Sequence, residues 1–338
     1  MRMLLYPFSL LFGGIVRLRN ARFASGKRSW KAPVPAIVVG NLSTGGTGKT
    51  PHALMVAEIL LQHGKHPAML SRGYGRKTRG FREVKFDASP TETGDEPLMM
   101  KRRFPELPVF VCENRVEGIQ KLTAQQPQVQ YVVLDDAYQH RALQPHVAIV
   151  LLTYASLQKP WVLLPAGDGR EPLSALGRAR VVVVTKCPDG LGDAEKNKIA
   201  RRIAGYTAAP VFFSTYRYLG LTNAQGQNIQ PDAVKDAAIL LAGIADPEPL
   251  AQWLRTRFKR VDMAAFADHH TFTVKELENV LSKAGDAYIV TTEKDAVRIH
   301  DVWPEFLEWP KVLVVPVVPD LGADAKVFEK RLFELLKK

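Results

Sequence analysis

Three glycines, Gly45, Gly46 and Gly48, lead into Lys49-Thr50 within the run Ser43-Thr44-Gly45-Gly46-Thr47-Gly48-Lys49-Thr50. These residue types at this spacing suit the handling of phosphate. Glycines let the chain curl until main-chain N–H groups point at phosphate oxygens. The helix N-terminus behind them adds a favourable dipole. A lysine can reach the β- and γ-phosphates, and a threonine hydroxyl can ligate Mg²⁺. Ser43 stands where G-x-x-x-x-G-K-[ST] places its first glycine. Downstream, Gln130-Tyr-Val-Val-Leu-Asp-Asp136 is an apolar run ending in two carboxylates, the form of a Walker-B strand. Successive strand side chains point to opposite faces, so one of Asp135 and Asp136 faces Mg²⁺, directly or through water. The pairing of loop and acids implies a nucleoside triphosphate site but does not name the reaction.

Other charged sets are less specific. Gly94-Asp95-Glu96-Pro97 opens a helical pattern, where an acid could do chemistry or simply cap the helix. Asp268-His269-His270 offers a carboxylate-oriented imidazole of the kind used for proton transfer, with no third ligand at metal spacing. Thr292-Glu-Lys-Asp295 is a second charged strand-to-helix junction, which capping alone would explain.

Short apolar runs of the kind buried on both faces hold these residues in place. They fall at 37–39, 67–71, 108–111, 130–136, 147–152 and 179–185, with helical patterns between them. That alternation predicts an α/β fold of the P-loop NTPase type, a doubly wound, mostly parallel sheet over residues 32–213, with nucleotide at the carboxyl ends of its strands. A polar, turn-rich stretch at about 214–236 reads as a hairpin-like linker. A second, smaller α/β domain follows over 214–338. Its strands are expected at 238–241, near Val261, at 288–292 and at 312–317, and a helix over 327–336 closes the chain.

Residues 1–31 form the most biased segment. An apolar stretch from Met3 to Val16 is followed by Arg17, Arg19, Arg22, Lys27, Arg28 and Lys31, and the first acid is Glu58. Fourteen residues interrupted by Pro7 and Gly13-Gly14 fall short of the about 20 needed to span a bilayer. An apolar helix with basic residues behind it suits a segment lying in the interface of an anionic leaflet. The net charge of +12 likewise favours an anionic partner. Two cysteines, Cys112 and Cys187, lie far apart and imply neither a zinc site nor a disulfide framework.

Several stretches occur together and in order: Gly40-Asn-Leu-Ser-Thr-Gly-Gly-Thr-Gly-Lys-Thr-Pro51, Ser71-Arg-Gly-Tyr-Gly-Arg76, Gly94-Asp-Glu-Pro97, Leu134-Asp-Asp-Ala-Tyr-Gln-His-Arg141, Leu164-Pro-Ala-Gly-Asp-Gly-Arg-Glu-Pro172, Asp268-His-His270 and Thr292-Glu-Lys-Asp295. As a set they resemble the tetraacyldisaccharide 4′-kinase family of lipid A biosynthesis, over nearly the whole chain. The resemblance implies transfer of the γ-phosphoryl of ATP, with Mg²⁺, to the 4′-hydroxyl of a tetraacylated glucosamine disaccharide 1-phosphate. It implies a monomer held peripherally at the cytoplasmic face of the bacterial inner membrane, touching its anionic surface. Lys49 and Thr50 would then hold phosphates and metal, with Asp135 and Asp136 as the metal-binding acids. Asp95 matches the family's base for the sugar hydroxyl, and His269 the histidine that tunes it from the second domain, the two being brought together by closure on ATP. Tyr74, Arg115, Gln139, Arg170 and Glu171 fall on positions expected to contact nucleotide or sugar phosphate. The chain departs from the family pattern at Ala137 and at Asp168-Gly169, both loop positions.

The alternative is a membrane-associated regulatory ATPase of the partition or site-selection type. Its loop carries an extra lysine where this chain has Thr44. A nucleic-acid-dependent ATPase lacks support, since no recognition helix or aromatic RNA-binding motif is present.

Overall fold

The computed structural model describes residues 2–23, 29–229 and 237–337. The six apolar runs, and a seventh segment that the sequence reading did not single out, become parallel strands: β1 (Ala36–Asn41), β2 (Pro67–Ser71), β3 (Val109–Val111), β4 (Tyr131–Asp135), β5 (Val147–Thr153), β6 (Val181–Thr185) and β7 (Val211–Phe213). They lie in the order β7-β6-β5-β1-β4-β2-β3, and a two-residue antiparallel strand, Arg82–Glu83, covers the β3 edge. The apolar runs are unbroken because this sheet is buried on both faces. Val38, Leu134, Val150 and Val182 enter one core layer; Ile37, Val133, Ile149 and Val183 enter the other. Val39 pairs in register with Asp135, so the phosphate loop and the acidic strand end side by side.

Four helices connected with this sheet bear on the site: α1 (Tyr6–Ala21), α2 (Lys49–Gln62), α3 (Asp95–Arg103) and α4 (Arg115–Gln125). Asn114 caps α4, its Oδ1 accepting from the N–H groups of Val116 and Glu117, which fixes where Arg115 leaves the helix.

The second half contributes β8 (Thr215–Tyr218), β9 (Leu221–Thr222), β10 (Asn228–Ile229), β11 (Ala237–Ala242), β12 (Arg260–Ala265), β13 (Tyr288–Thr292), β14 (Val312–Val315) and β15 (Val317–Asp320). A smaller six-stranded sheet runs β10-β9-β14-β13-β11-β12, its last four strands parallel. Its helices are α5 (Glu248–Arg255), α6 (Val274–Ala284) and α7 (Glu293–Val302). The closing helix, α8 (Ala325–Leu336), sends Phe328 and Leu332 into the core of the larger sheet, where Phe328 meets Phe212 edge-on at 5.3 Å.

Three expectations need correction. The strand expected over 312–317 divides at Pro316, which has no N–H to continue a ladder, and its two parts serve different sheets. In the expected linker, β8 pairs with distant β15 and only β9–β10 form a local hairpin; residues 230–236 lie outside the described residues. Gly13-Gly14 does not interrupt α1, and Arg17 and Arg19 sit within that helix instead of behind it. Pro7 occupies the first turn, where no N–H is needed. Gly13 marks a close approach, since a Cβ there would lie 3.0 Å from Leu163 Cδ1. Lys27 and Arg28 lie outside the described residues.

The helix α1 rests on the larger unit by a narrow stripe, Ser9, Gly13 and Val16. Ser9 Oγ donates to Leu163 O at 2.9 Å and accepts from Ala166 N at 3.0 Å. Leu4, Phe8, Leu10, Leu11, Ile15 and Leu18 remain 57–78% exposed. Among the described residues, no helix is long and apolar enough to cross a membrane.

Candidate functional site: a phosphate loop facing an acid–histidine pair

The loop between β1 and α2 is fastened from several sides. Thr44 N donates to Asp168 O at 2.8 Å, Asn41 Nδ2 to Thr47 Oγ1 at 2.8 Å, and Thr185 Oγ1 to Thr47 O at 2.9 Å. Ser43 forms an isolated bridge with Gly169, so the residue at the first-glycine position is tied to the 164–172 loop. Gly45 and Gly48 have φ of 89° and 85°, the left-handed region that glycine enters freely. Gly48 has no alternative, because a Cβ there would lie 2.1 Å from Tyr216 Oη. His52, buried beneath the loop, bonds Gly48 O through Nδ1 at 2.7 Å and Ser214 Oγ through Nε2 at 3.0 Å. Burial brings its pKa down to about 4, so it serves as a neutral brace.

The two aspartates at the end of β4 part company. Asp135 is buried, and its Oδ2 accepts from Thr50 Oγ1 at 2.8 Å while Oδ1 has no hydrogen-bond partner. Burial, with Glu96 and Asp136 nearby, pushes its carboxyl up to about 7 despite Lys49 and Thr50. Asp136 turns away at φ 48° and gathers cations, with Lys49 Nζ at 3.7 Å and Arg170 Nη1 at 3.4 Å. Arg115, also buried, donates to Asp136 O at 3.2 Å and to Glu113 O at 2.9 Å. Gln139 donates to Asn41 O at 2.7 Å, at the root of the phosphate loop.

The smaller unit brings His269 against an acid of the larger one. Asp95 opens α3, and His269 Nδ1 lies 3.3 Å from its Oδ2. The two residues, far apart in sequence, are therefore in contact. Burial alone would raise the Asp95 carboxyl, but the hydrogen bond from His269 and the charges of Lys294 and Arg298 hold it well below the usual carboxylate range. Tyr74, largely exposed, sets its ring edge against His269 with centroids 5.6 Å apart.

Glu171 is placed differently from the others. It is fully buried, bonded to Arg178 Nη2 at 2.5 Å and Asn20 Nδ2 at 2.9 Å, and so ties α1 to the 164–172 loop. Arg170, its neighbour, faces Asp136. One loop thus touches the apolar helix, the phosphate loop and the acidic strand end.

Among the described residues, Asp136, Lys186 and His269 are the non-glycine residues with positive φ. All three border this site, where strained backbone tends to collect. Sequence reasoning passed over Lys186, whose ammonium comes within 3.9 Å of the position a Cβ on Gly46 would take. It also passed over Arg298 and Lys294. Their signal was the Thr292-Glu-Lys-Asp295 junction, legible as capping because Thr292 does cap α7.

Comparison with known proteins gives the family. Residues 1–337 match the family model described as tetraacyldisaccharide-1-P 4′-kinase. The chain is 37% identical to the tetraacyldisaccharide 4′-kinase of Bacteroides thetaiotaomicron over 333 residues, covering 93% of this chain and 87% of that protein. It is 40% identical to that of Cytophaga hutchinsonii over 310 residues, 88% and 86% of the two chains. A crystal structure of LpxK from Aquifex aeolicus in complex with ATP superposes with a TM-score of 0.76 at 28% identity, covering 99% of both chains. None of these relatives supports the regulatory ATPase alternative. With a phosphate loop, a paired-acid strand end and a facing acid–histidine couple in one whole-length match, the chain belongs to the tetraacyldisaccharide 4′-kinase family.

Proposed function

We propose that this chain transfers the γ-phosphoryl group of ATP to the 4′-hydroxyl of a tetraacylated glucosamine disaccharide 1-phosphate. The observation that carries the reading is the contact of Asp95 with His269 at 3.3 Å, in a chain whose phosphate-loop strand and acidic strand pair in register. Glu96, next to Asp95 in sequence, is close enough to Asp135 to raise that acid, which supports a carboxylate near the phosphate loop.

Phosphoryl transfer asks a protein for alignment and charge neutralisation more than for covalent chemistry. The loop N–H groups and Lys49 hold the β- and γ-phosphates, and Arg170 and Arg115 add positive charge beside them. The acceptor oxygen bonds to the γ-phosphorus, the bond to the β-bridging oxygen breaks, and the alcohol proton passes to Asp95 as ADP leaves. A carboxylate is a weak base for an alcohol, so Asp95 chiefly orients the hydroxyl and takes its proton late. The divalent-ion site fits Mg²⁺. The orphaned, buried Asp135 Oδ1 beside the Thr50 hydroxyl wants a cation, and Asp136 supplies further charge. Among the described residues, no group of three or more His, Cys, Asp or Glu could hold a metal alone, which suits an ion completed by phosphate and water. Bound there, Mg²⁺ would neutralise charge on the β- and γ-phosphate oxygens.

The exposed apolar face of α1, with Arg17 and Arg19 on the same helix, lies peripherally on the cytoplasmic leaflet of the inner membrane and brings the site to an acylated substrate. The test is transfer of labelled γ-phosphate to the purified glycolipid by wild type and Asp95→Ala. The variant should lose turnover by at least about 100-fold while ATP affinity stays within about threefold. Retained turnover would remove Asp95 as the base.

A further inference from the structure

We propose that Arg298 and Lys294, both on α7, are positioning residues: Arg298 seats the Asp95 carboxylate so that Oδ1 faces the acceptor alcohol, and Lys294 fixes the tautomer of His269. The proposal rests on the reading of Asp95 as the acceptor's base.

The two oxygens of Asp95 are unequal. Oδ2 receives Arg298 Nε at 2.9 Å, Arg298 Nη2, and His269 Nδ1 at 3.3 Å. Three donors use up its lone pairs. Among the described residues Oδ1 receives only Glu96 N, at 2.9 Å, so it is the oxygen left to accept a proton. The guanidinium is itself aimed from behind. Its Nη1 donates to Asp295 Oδ1 at 2.9 Å and Gly243 O at 3.0 Å, while Asp295 Oδ2 accepts from Gly243 N at 3.0 Å and Thr292 Oγ1 at 2.8 Å. Asp295, Arg298 and Asp95 thus form a buried chain from the smaller sheet to α3. A guanidinium stays charged and offers a planar fork, so it orients the carboxylate without competing for the proton.

His269 has one ring proton to place. Lys294 Nζ lies 3.1 Å from Nε2 and, as an ammonium, can only donate. Nε2 therefore accepts, and the proton sits on Nδ1, facing Asp95 Oδ2. Arg298 Nη2 has two hydrogens, of which one goes to Asp95 Oδ2 and the other approaches Nδ1 at 3.2 Å, so Arg298 opposes the tautomer that Lys294 favours. Lys294 sits between Glu96 Oε1 at 3.3 Å and Asp268 Oδ1 at 3.8 Å. Asp268 Oδ2 stands 4.0 Å from Nε2, and Tyr74 closes the remaining side of the ring.

The experiment measures γ-phosphate transfer to the glycolipid, ATP affinity and pH profile in full-length Arg298→Ala, Arg298→Lys, Lys294→Met, Asp95→Ala and the double variant R298A/D95A. R298A should lower kcat about 100-fold with ATP affinity kept, and the acid limb of its kcat/KM profile should move to higher pH. R298K should recover part of the loss, and the double variant should be no slower than D95A. Imidazole ¹⁵N shifts should place the His269 proton on Nδ1 in wild type and spread it over both nitrogens in K294M. Should R298A unfold, R298K decides, since full turnover there overturns the positioning role. Wild-type kcat in R298A beside an inactive D95A would overturn this proposal and leave the base reading intact. An active D95A would instead overturn the base reading.

Discussion

Thr50 Oγ1 donates to Asp135 Oδ2 at 2.8 Å, joining the first turn of α2 to the last residue of β4. The contact pre-assembles the side of the site proposed to hold Mg²⁺ while leaving Asp135 Oδ1 buried and without a partner among the described residues. An acid raised to about 7 in the folded chain is protonated there when its unfolded counterpart is already ionised. Its contribution to stability therefore falls as pH rises from about 4 towards 7, and the full penalty stands above 7.

Asp135→Asn removes that penalty. Without nucleotide or divalent ion the variant should be more stable than wild type at pH 8 by about 1–3 kcal/mol, and so melt at a higher temperature. The gain should shrink as pH is lowered through 7 towards 5. Turnover should fall at least about 100-fold. Thermal unfolding across pH, beside a transfer assay, checks both parts, and equal melting temperatures at pH 8 would count against the buried, unsatisfied carboxylate.

Two glycines of one loop should answer differently to the same substitution. Gly48→Ala forces a side chain into φ 85° and onto Tyr216 Oη, and should cost about 2–4 kcal/mol. Gly46→Ala meets nothing nearer than Ala245 Cβ at 3.8 Å and should leave stability within about 0.5 kcal/mol. Chemical denaturation of both variants gives the comparison.

Replacing Leu10, Leu11 and Leu18 by Ser removes apolar surface that is 63–69% exposed. Folding and ATP affinity should be unchanged. Association with anionic phospholipid vesicles should weaken at least about tenfold, and transfer to an acceptor presented in such vesicles should fall with it. Unchanged vesicle binding would mean that this face does not meet lipid.

Removing Lys49 tests the loop itself. Lys49→Met should reduce turnover by about 100-fold or more and weaken ATP binding, because the ammonium that now faces Asp136 at 3.7 Å is the one proposed to hold the phosphates. Isothermal titration with ATP and a single-turnover assay separate the two losses.

Much of this molecule was legible as a string of residues. The unbroken apolar runs announced a doubly covered parallel sheet, since only a strand buried on both faces can dispense with polar alternation. The phosphate loop was legible because its chemistry is local: glycine conformations, a helix start, Lys49 and Thr50 are all set within a few residues. What lay beyond reach depended on distant segments meeting. Strand alternation said that Asp135 and Asp136 must differ, but only packing made one a buried partner of Thr50 and the other the companion of Lys49 and Arg170. Pro316 was visible, yet the two pieces of strand around it pair with separate partners that no local pattern names. Arg298 looked like one more charge on a helix, and it became the residue holding Asp95 once α3 and α7 lay side by side. Local covalent chemistry and periodicity decide elements and loops; the burial of a charge, and hence its partner and its acidity, is decided by the fold as a whole.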